Sequence, residues 1–413
     1  MKTLDELKEY LSGLRNEYQR DNFDSFLHKI KFSFDLPFIH ISGTNGKGTV
    51  GQVLSDIYSN QGYKVGYYSS PYYLSPLEMI RINGNNIPLE EFISIVEEYD
   101  KNIKKYDLSE FEVETFVMYQ YFKKLHLDIC IVECGMGGED DATNIADSIL
   151  SIITSISLEH TEYLGSSLTE IAQAKAGIIK EDNIVVIGPL ENDALEVIKE
   201  VARENNAKIV QNTSYLFEKL VDNGYDFTVK PYEHLKIKFL SLFTLLDVSI
   251  ALTAIEQLKD RYPVSEDNIR KSLLELKMPS RMEVVSNNPL VIIDGAHNPH
   301  AMAALRESLE KIIGDKPLHV IFSSFKDKNI ERMFAELSFV SKDITLTTFK
   351  HNRARKKDEY FLFLDEYNYE EDYIKLIKDK MNEYQNDIIL ITGSLAFGLH
   401  VSDLFKKGAF KDE

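Results

Sequence analysis

Residues Phe38–Tyr58 read FIHISGTNGKGTVGQVLSDIY, and this stretch predicts a strand, a glycine-rich turn and a helix. The run Phe38–Ile41 is typical of a short buried strand, and the apolar residues from Val50 to Ile57 recur at helical spacing. The backbone N–H groups of a glycine-rich turn can converge on an anion, and the N-terminus of the next helix adds partial positive charge. The stretch therefore predicts a binding site for nucleotide phosphates.

The residue types within the turn fit this chemistry. Lys47 can reach a terminal phosphate, and the Thr49 hydroxyl can hold Mg²⁺. The spacing G-x-x-G-K-G-T is tighter than the general G-x-x-x-x-G-K-[ST] pattern, and the alternative is an ordinary glycine turn followed by a surface lysine. A strand and a helix on either side favour the phosphate site. The residues predicted to bind the nucleotide are Gly43, Thr44, Asn45, Gly46, Lys47, Gly48 and Thr49.

Length and charge limit the class of protein. A chain of 413 residues favours two domains. The net charge of −19 argues against nucleic acid as a partner, so any anionic substrate must be met by a local basic pocket. The chain contains no apolar run of about 18 residues, so we expect no membrane partner.

The N-terminus and the cysteines indicate the compartment. The segment MKTLDELKEYLSGL has acidic residues and no apolar stretch of the signal-peptide kind, so it predicts an amphipathic helix. Cys130 and Cys134, the two cysteines, would lie too far apart on one strand to form a disulfide. We therefore expect a cytoplasmic protein.

Strand-like runs alternate with helical stretches along the chain. The runs FIHIS, KVGYYSS, LDICIVEC, LSIITSI and NIVVIG predict a mostly parallel sheet covered by helices on both faces, and the pattern blurs over about 205–245. Near residue 285 the pattern restarts with LVIIDGAHNP. The prediction is an α/β protein: a P-loop-type domain with a mostly parallel sheet over 1–284, and a smaller Rossmann-like α/β domain over 285–413.

Four polar residues fall where ligands of a parallel sheet bind, at the carboxyl ends of strands. Glu133 follows an apolar run and needs a cation, although it could instead cap a helix. Ser70 could simply belong to a turn before proline, and His160 could be a surface or core histidine. Lys175 could simply be a cation that interacts favourably with the C-terminal end of a helix dipole, in a helix that begins with the capping box SLTE. Each residue alone leaves its role open.

The second predicted domain repeats this arrangement. Asp294 and His297 crowd the turn that follows the apolar run LVII, and Ser394 follows the run DIILIT. Arg281 could supply charge for an anion. The convergence of these polar residues suggests a site that is completed across a domain cleft.

Seven segments of the chain together are similar to the ordered motifs of one family. They are HISGTNGKGTV, SSPYYLSPLEMIRINGNNI, VECGMGGEDDATN, LEHTEYLGSSLTEIAQAKAGIIK, PSRMEV, DGAHNP and TGSLAFG. They resemble the motifs of folylpolyglutamate synthases, some of which are also dihydrofolate synthases and which belong to the Mur ligase superfamily. The resemblance runs from about residue 36 to 400.

The resemblance implies an ATP-dependent, ADP-forming ligase, with an ATPase domain over 1–284 and a glutamate-ligase domain over 285–413. Such an enzyme phosphorylates the carboxylate of a folate with ATP, and the amino group of L-glutamate then attacks the acyl phosphate. The implied partners are these small molecules, and we expect a monomer.

The resemblance also implies how the first domain holds its ligands. It implies that Thr49, Ser70, Glu133 and His160 bind Mg²⁺ near the γ-phosphate. It further implies that Lys175, in the context AKAGI, is carbamylated and catalytic.

For the remaining residues the resemblance implies contacts with ATP and glutamate. Arg281 and Asp294 match positions that contact ATP, whereas His297 and Ser394 match positions tied to the incoming glutamate. Lys47 and His297 are expected to be catalytic.

Three departures from the family pattern keep alternatives open. Glu139 replaces the arginine of G-G-R-x-D, Met79 replaces the arginine of E-R-I, and Asp247 replaces the asparagine of H-Q-x-x-N. A divergent Mur-type ligase with another acyl substrate, or a non-catalytic nucleotide-binding paralogue, would also fit. Retention of the predicted catalytic residues favours an enzyme.

Overall fold

The computed structural model describes residues 1–15, 19–72, 75–221, 224–238, 240–314 and 316–410, without the side chain of Glu218. The chain divides into two compact units. The first comprises Met1–Leu216, Val229–Leu235 and Leu246–Glu275. The second comprises Phe217–Thr228, Lys236–Leu245 and Leu276–Glu413. The domain boundary between 284 and 285 stays a prediction.

A mostly parallel sheet forms the centre of the first unit. Its strand order is β4-β3-β2-β5-β1-β6-β7-β8, in which β3 pairs antiparallel with β2 and β4, and the other neighbours are parallel. This confirms the α/β fold, because the five predicted runs form β1, β2, β5, β6 and β7. The strands are β1 (Phe38–Ser42), β2 (Val65–Tyr68), β3 (Ile80–Ile82), β4 (Asn85–Asn86), β5 (Ile129–Glu133), β6 (Leu150–Ile153), β7 (Ile184–Ile187) and β8 (Lys208–Gln211).

Helices cover this sheet, and their first residues explain where they begin. Ser109 and Ser167 each form a capping box with the glutamate three residues later, which satisfies backbone N–H groups at the helix start. The helices up to residue 275 are α1 (Leu4–Ser12), α2 (Arg20–Ile30), α3 (Lys47–Gln61), α4 (Leu89–Lys105), α5 (Glu110–Leu125), α6 (Thr161–Leu164), α7 (Leu168–Ala176), α8 (Asn192–Glu204), α9 (Leu242–Leu258) and α10 (Glu266–Glu275), with a 3₁₀ turn at Pro76–Met79.

Aromatic side chains dominate the core on one side of the sheet. Phe26, Phe92 and Phe116 are fully buried and belong to the same apolar cluster as Phe38 of β1. The predicted N-terminal amphipathic helix is confirmed as α1, which buries Leu11 in this cluster. The described residues include no helix long and apolar enough to cross a membrane.

The second unit contains another mostly parallel sheet, in the order β12-β13-β17-β14-β15-β16. In this sheet β12 pairs antiparallel with β13, and the other described neighbours pair in parallel. The elements are β12 (Glu283–Asn287), β13 (Leu290–Ile293), α11 (Pro299–Ile312), β14 (Leu318–Phe322), α12 (Ile330–Leu337), β15 (Asp343–Leu346), a 3₁₀ helix (Lys357–Phe363), β16 (Asn368–Tyr369), α13 (Tyr373–Glu383), β17 (Ile388–Thr392) and α14 (Leu395–Lys406).

A three-stranded sheet occupies the region where the sequence pattern blurs. It consists of β9 (Tyr215–Val221), β10 (Gly224–Val229) and β11 (Tyr232–Ile237), in the order β11-β10-β9. The sequence did not predict these strands.

Candidate functional site

The turn between β1 and α3, Gly43–Thr49, is called the phosphate loop below. Gly43 (φ 147°) and Gly46 (φ 90°) adopt backbone conformations that favour glycine, and a Cβ on Gly43 would clash with the Thr154 hydroxyl. Two residues that directly follow β6 form hydrogen bonds with the loop. The Thr154 hydroxyl donates to the Asn45 carbonyl at 2.7 Å, and Asn45 N–H donates to Ser155 Oγ at 3.0 Å. The loop is therefore a fixed turn that leads directly into the N-terminus of α3.

Lys47 is the first residue of α3, and its side chain folds back over the phosphate loop. Its Nζ donates to the Gly43 carbonyl at 2.6 Å. The ammonium thus lies over the turn that the sequence predicts to hold phosphates.

Asp247, in α9, lies directly against the phosphate loop. A Cβ on Gly46 would clash with Asp247 Oδ1, and the aspartate is 5% exposed. A buried carboxylate at this position places negative charge beside a predicted anion site. This departure from the family pattern therefore lies at the phosphate loop.

Glu133 is the last residue of β5, the strand beside β1. Its side chain is buried next to the first turn of α3. A Cβ on Gly48 would lie 3.7 Å from Glu133 Oε1, so the carboxylate faces the first turn of the helix. The Tyr67 hydroxyl, from the neighbouring β2, donates to the same oxygen. Burial and the adjacent carboxylate raise the pKa of Tyr67, so the tyrosine stays protonated and can donate.

Lys175, near the end of α7, forms an ion pair with Glu159 at 2.7 Å. Burial lowers the pKa of Lys175, the charge on Glu159 opposes this shift, and the charge on Lys47 adds to it. Burial alone would raise the pKa of Glu159, but Lys175, Lys47 and His160 together hold it below its ordinary value. Glu159 therefore interacts electrostatically with Lys175, Lys47 and His160.

The other predicted metal ligands have different surroundings. Thr49 is buried in the first turn of α3, Ser70 is half-buried just beyond β2, and His160 is exposed at the start of α6. His160 has a left-handed backbone, with φ 46°. Within the described part of the chain, no group of three or more His, Cys, Asp or Glu side chains could hold a metal ion.

The glycine-rich turn after Glu133 is organised by Asp141. This buried carboxylate accepts from Met136 N–H at 2.8 Å and from Thr143 N–H at 3.0 Å. Glu139, within the same turn, has an exposed side chain. Met79, another departure from the family pattern, is buried.

In the second unit, Asp294 fixes the turn after β13. Its carboxylate accepts from Met282 N–H at 2.9 Å and from Ala296 N–H at 2.8 Å. Burial raises the pKa of Asp294, whereas the charge on Arg281 lowers it. Arg281 and Asp294 are therefore close enough to interact electrostatically.

His297 and Ser394 lie at the ends of adjacent parallel strands. Nδ1 of His297 is 2.9 Å from the Gly295 carbonyl, which orients the ring. Ser394 is buried at the start of α14, and a Cβ on Gly295 would press against Leu395. The predicted residues of the second unit are thus gathered at the carboxyl edge of its sheet.

Sequence reasoning missed two residues of this site. Glu159 pairs with Lys175, and its position directly before His160 was the available signal. Tyr67 contacts Glu133 only because β2 lies beside β5, so no local pattern could identify it.

Two family models and one curated relative match this chain. The Mur ligase middle domain matches residues 41–238, and the Mur ligase glutamate ligase domain matches residues 280–395. The dihydrofolate synthase/folylpolyglutamate synthase of Bacillus subtilis is 31% identical over 389 residues, which cover 89% of each chain.

Solved structures are similar over nearly the whole chain. Mycobacterium tuberculosis folylpolyglutamate synthase, complexed with ADP and AMPPCP, is 25% identical with a TM-score of 0.87, over 97% of this chain and 98% of that one. E. coli FolC in complex with DHPP and ADP is 27% identical with a TM-score of 0.86, over 98% of both chains.

Proposed function

The chain belongs to the family of folylpolyglutamate synthases and dihydrofolate synthases within the Mur ligases, and we propose that its phosphate loop and Glu133 carry the ATP-dependent step of that family's reaction. The chain is an ATP-dependent, ADP-forming ligase that adds L-glutamate to the carboxylate of a folate. The observation that carries the proposal is the buried carboxylate of Glu133 facing Gly48, on the first turn of α3.

The phosphate loop binds the β- and γ-phosphates of ATP. The first N–H groups of a helix have no partner within it, so those at the start of α3 suit an anion. Lys47 adds a full positive charge, and its present acceptor is the neutral Gly43 carbonyl. A phosphate oxygen is a stronger acceptor for an ammonium than a carbonyl, so the side chain can turn to it.

Three of the four residues proposed to bind Mg²⁺ supply the oxygen donors that this ion prefers. The residues that would hold the ion are Thr49, Ser70, Glu133 and His160. One carboxylate and two hydroxyls would supply oxygen ligands beside the substrate phosphates, as Mg²⁺ requires, whereas the imidazole of His160 is a ligand more usual for other metals. When bound, Mg²⁺ neutralises the charge on the phosphates during transfer to the folate carboxylate.

Lys175 is carbamylated in the active enzyme. Its neutral amine attacks CO₂, forming an N–C bond and releasing one proton, so the ammonium is replaced by an anion. The lowered pKa of Lys175 supports this step, because a larger fraction of the amine is then neutral at a given pH. Carbamylation would break the ion pair with Glu159, and nearby cations would then have to balance two adjacent anions.

The second unit contributes the residues for glutamate. His297 and Ser394 bind the incoming L-glutamate. The amino group of this glutamate must lose a proton before it attacks the acyl phosphate, and His297 accepts that proton. Arg281 and Asp294 contact ATP. The support is that all four residues lie within the matched glutamate ligase domain, two of them oriented by the turn after β13.

ADP release with L-glutamate tests the function. Dihydropteroate, tetrahydrofolate and methylene-tetrahydrofolate are each supplied separately, and the product is weighed by mass spectrometry. We expect ADP only when an acid and L-glutamate are both present, with one glutamyl residue added to the product. ATP hydrolysis indifferent to every acid and to glutamate would instead favour the non-catalytic nucleotide-binding paralogue.

A second candidate is a divergent Mur-type ligase with another acyl substrate, which is favoured by Glu139, an exposed acid in the glycine-rich turn after Glu133. Turnover with glutamate but with none of the three acids would support it. We also propose that the enzyme is a cytoplasmic monomer, consistent with two buried free thiols. Light scattering after size exclusion would test the monomer.

A further inference from the structure

Tyr67 lies between the metal-binding carboxylate and the phosphate loop. It is a residue of β2 and is 2% exposed. Its ring packs against α3 so closely that a Cβ on Gly51 would be 2.7 Å from both Cε2 and Oη. The position of this ring is therefore set by the backbone of the helix that begins at the phosphate loop.

The Tyr67 hydroxyl reaches two groups of the site. It donates to Oε1 of Glu133, and it lies 3.1 Å from the carbonyl of Gly48. The hydroxyl has one hydrogen, and the charged carboxylate is the stronger acceptor. One side chain thus joins the first turn of α3 to the end of β5.

Arg81 holds the ring of Tyr67 in place. Its Cζ lies 4.4 Å from the ring centroid, within the range of a cation–π interaction. Its guanidinium donates to Gln52 Oε1 at 2.8 Å and to Ser69 Oγ at 2.9 Å. These bonds connect Arg81 to both α3 and the end of β2, so the tyrosine has little freedom to turn away from Glu133.

We propose that Tyr67 is a positioning residue for Glu133, fixing Oε1 so that the carboxylate keeps one orientation toward the metal and phosphate site. The inference rests on the proposed function, in which Glu133 is a metal ligand. Groups that hydrogen-bond to a metal ligand orient it, and their loss typically costs about 10–100-fold in metal affinity or activity. The alternative is that Tyr67 only fills space between β2 and α3.

Tyr67→Phe separates these two roles, because it keeps the ring on Gly51 and under Arg81 and removes only the hydroxyl. The probe is Mn²⁺ in place of Mg²⁺, with its binding in the presence of AMPPCP followed by electron paramagnetic resonance. We expect Mn²⁺ to bind about 10–100-fold more weakly to Tyr67→Phe than to the unmodified enzyme. The thermal midpoint is measured on the same samples.

Tyr68→Phe is the matched control. Tyr68 is the next residue of β2 and is also buried, but its hydroxyl lies 3.0 Å from Thr115 Oγ1, in α5. We expect Mn²⁺ affinity to be unchanged in this variant. An equal loss of affinity in both variants would overturn the proposal, since any buried hydroxyl of the strand would then have the same effect.

Glu133→Gln distinguishes the inference from its premise. If Glu133→Gln weakens Mn²⁺ binding and Tyr67→Phe does not, the positioning role of Tyr67 is wrong while the metal role of Glu133 stands. If Glu133→Gln itself binds Mn²⁺ as tightly as the unmodified enzyme, the metal role in the proposed function is wrong, and the role of Tyr67 falls with it.

Discussion

Replacing Lys175 by methionine should separate its catalytic role from its structural one. The variant keeps most of the apolar side chain and removes the amine that would react with CO₂. Lys175 is 1% exposed and pairs at 2.7 Å with Glu159, which is 19% exposed. Removing one member of a buried pair costs 3–5 kcal/mol, and because water reaches Glu159 we expect the low end, about 3 kcal/mol.

Turnover should fall by at least about 100-fold in Lys175→Met. This is the upper end of the loss of activity that is typical when a group supporting a metal site is removed, about 10–100-fold. The double variant Lys175→Met/Glu159→Gln leaves no unpaired charge, so most of the lost stability should return while turnover stays low. Urea unfolding measures the stability, and ADP release measures the turnover.

Dependence on CO₂ gives a second measurement. Activity of the unmodified enzyme should fall in CO₂-depleted buffer and recover with bicarbonate, and ¹³C-bicarbonate should give a carbamate signal in NMR that Lys175→Met lacks. Full turnover in Lys175→Met would refute the reasoning. Recovery of turnover together with stability in the double variant would also refute it, because the lysine would then serve only the ion pair.

Three further changes have expected outcomes. Glu133→Gln should lower Mg²⁺-dependent turnover at least tenfold with an unchanged circular dichroism spectrum, and full turnover at saturating Mg²⁺ would contradict its role as a ligand. Asp247→Asn removes a charge beside Gly46 that repels phosphate by about 1–4 kcal/mol, so the KM for ATP should fall at least about fivefold in steady-state assays. Burial, and to a lesser extent the charge on Glu110, raises the pKa of Glu114 above its ordinary value of 4.5. The folded state therefore binds this proton more tightly than the unfolded state, and the stability of the fold decreases as the pH rises above 4.5. Glu114→Gln should therefore raise the thermal midpoint more at pH 8 than at pH 5, and an equal change at both would contradict the buried ionisation.

The phosphate loop could be predicted from sequence because its determinants are local. A strand, two glycines with positive φ and most of a helix all fall within 21 consecutive residues, Phe38–Tyr58. The contact between Tyr67 and Glu133 joins residues 66 positions apart and depends on the order of strands in the sheet. Asp247 could be recognised only as a departure from a pattern, since its place against Gly46 depends on how α9 packs.

The strands β9 and β11 escaped prediction for another reason. Alternation of apolar and polar residues predicts a half-buried strand, but in β11 the alternation breaks at His234, which has φ 52°. In β9 the large apolar residues Leu216, Phe217 and Leu220 are exposed, so hydrophobicity does not mark a buried face. Both strands therefore lack the signal on which sequence reasoning depends.

The two lysines of the site differ in their partners, and this divides their roles. Lys47 donates to a neutral carbonyl, and a polyphosphate can replace that acceptor with a gain in charge-assisted hydrogen bonding. Lys175 is buried against a carboxylate, so exchanging that partner for another anion gains little, and its amine is held in one place. The chain has a net charge of −19, so an anionic nucleotide requires local positive charge at its binding site. The Lys47 ammonium, which can change its hydrogen-bond acceptor, lies over the phosphate loop and can supply that charge. The pKa of Lys175 is lowered, which increases the fraction of neutral amine that can react with CO₂. We therefore propose ATP binding for Lys47 and carbamylation for Lys175.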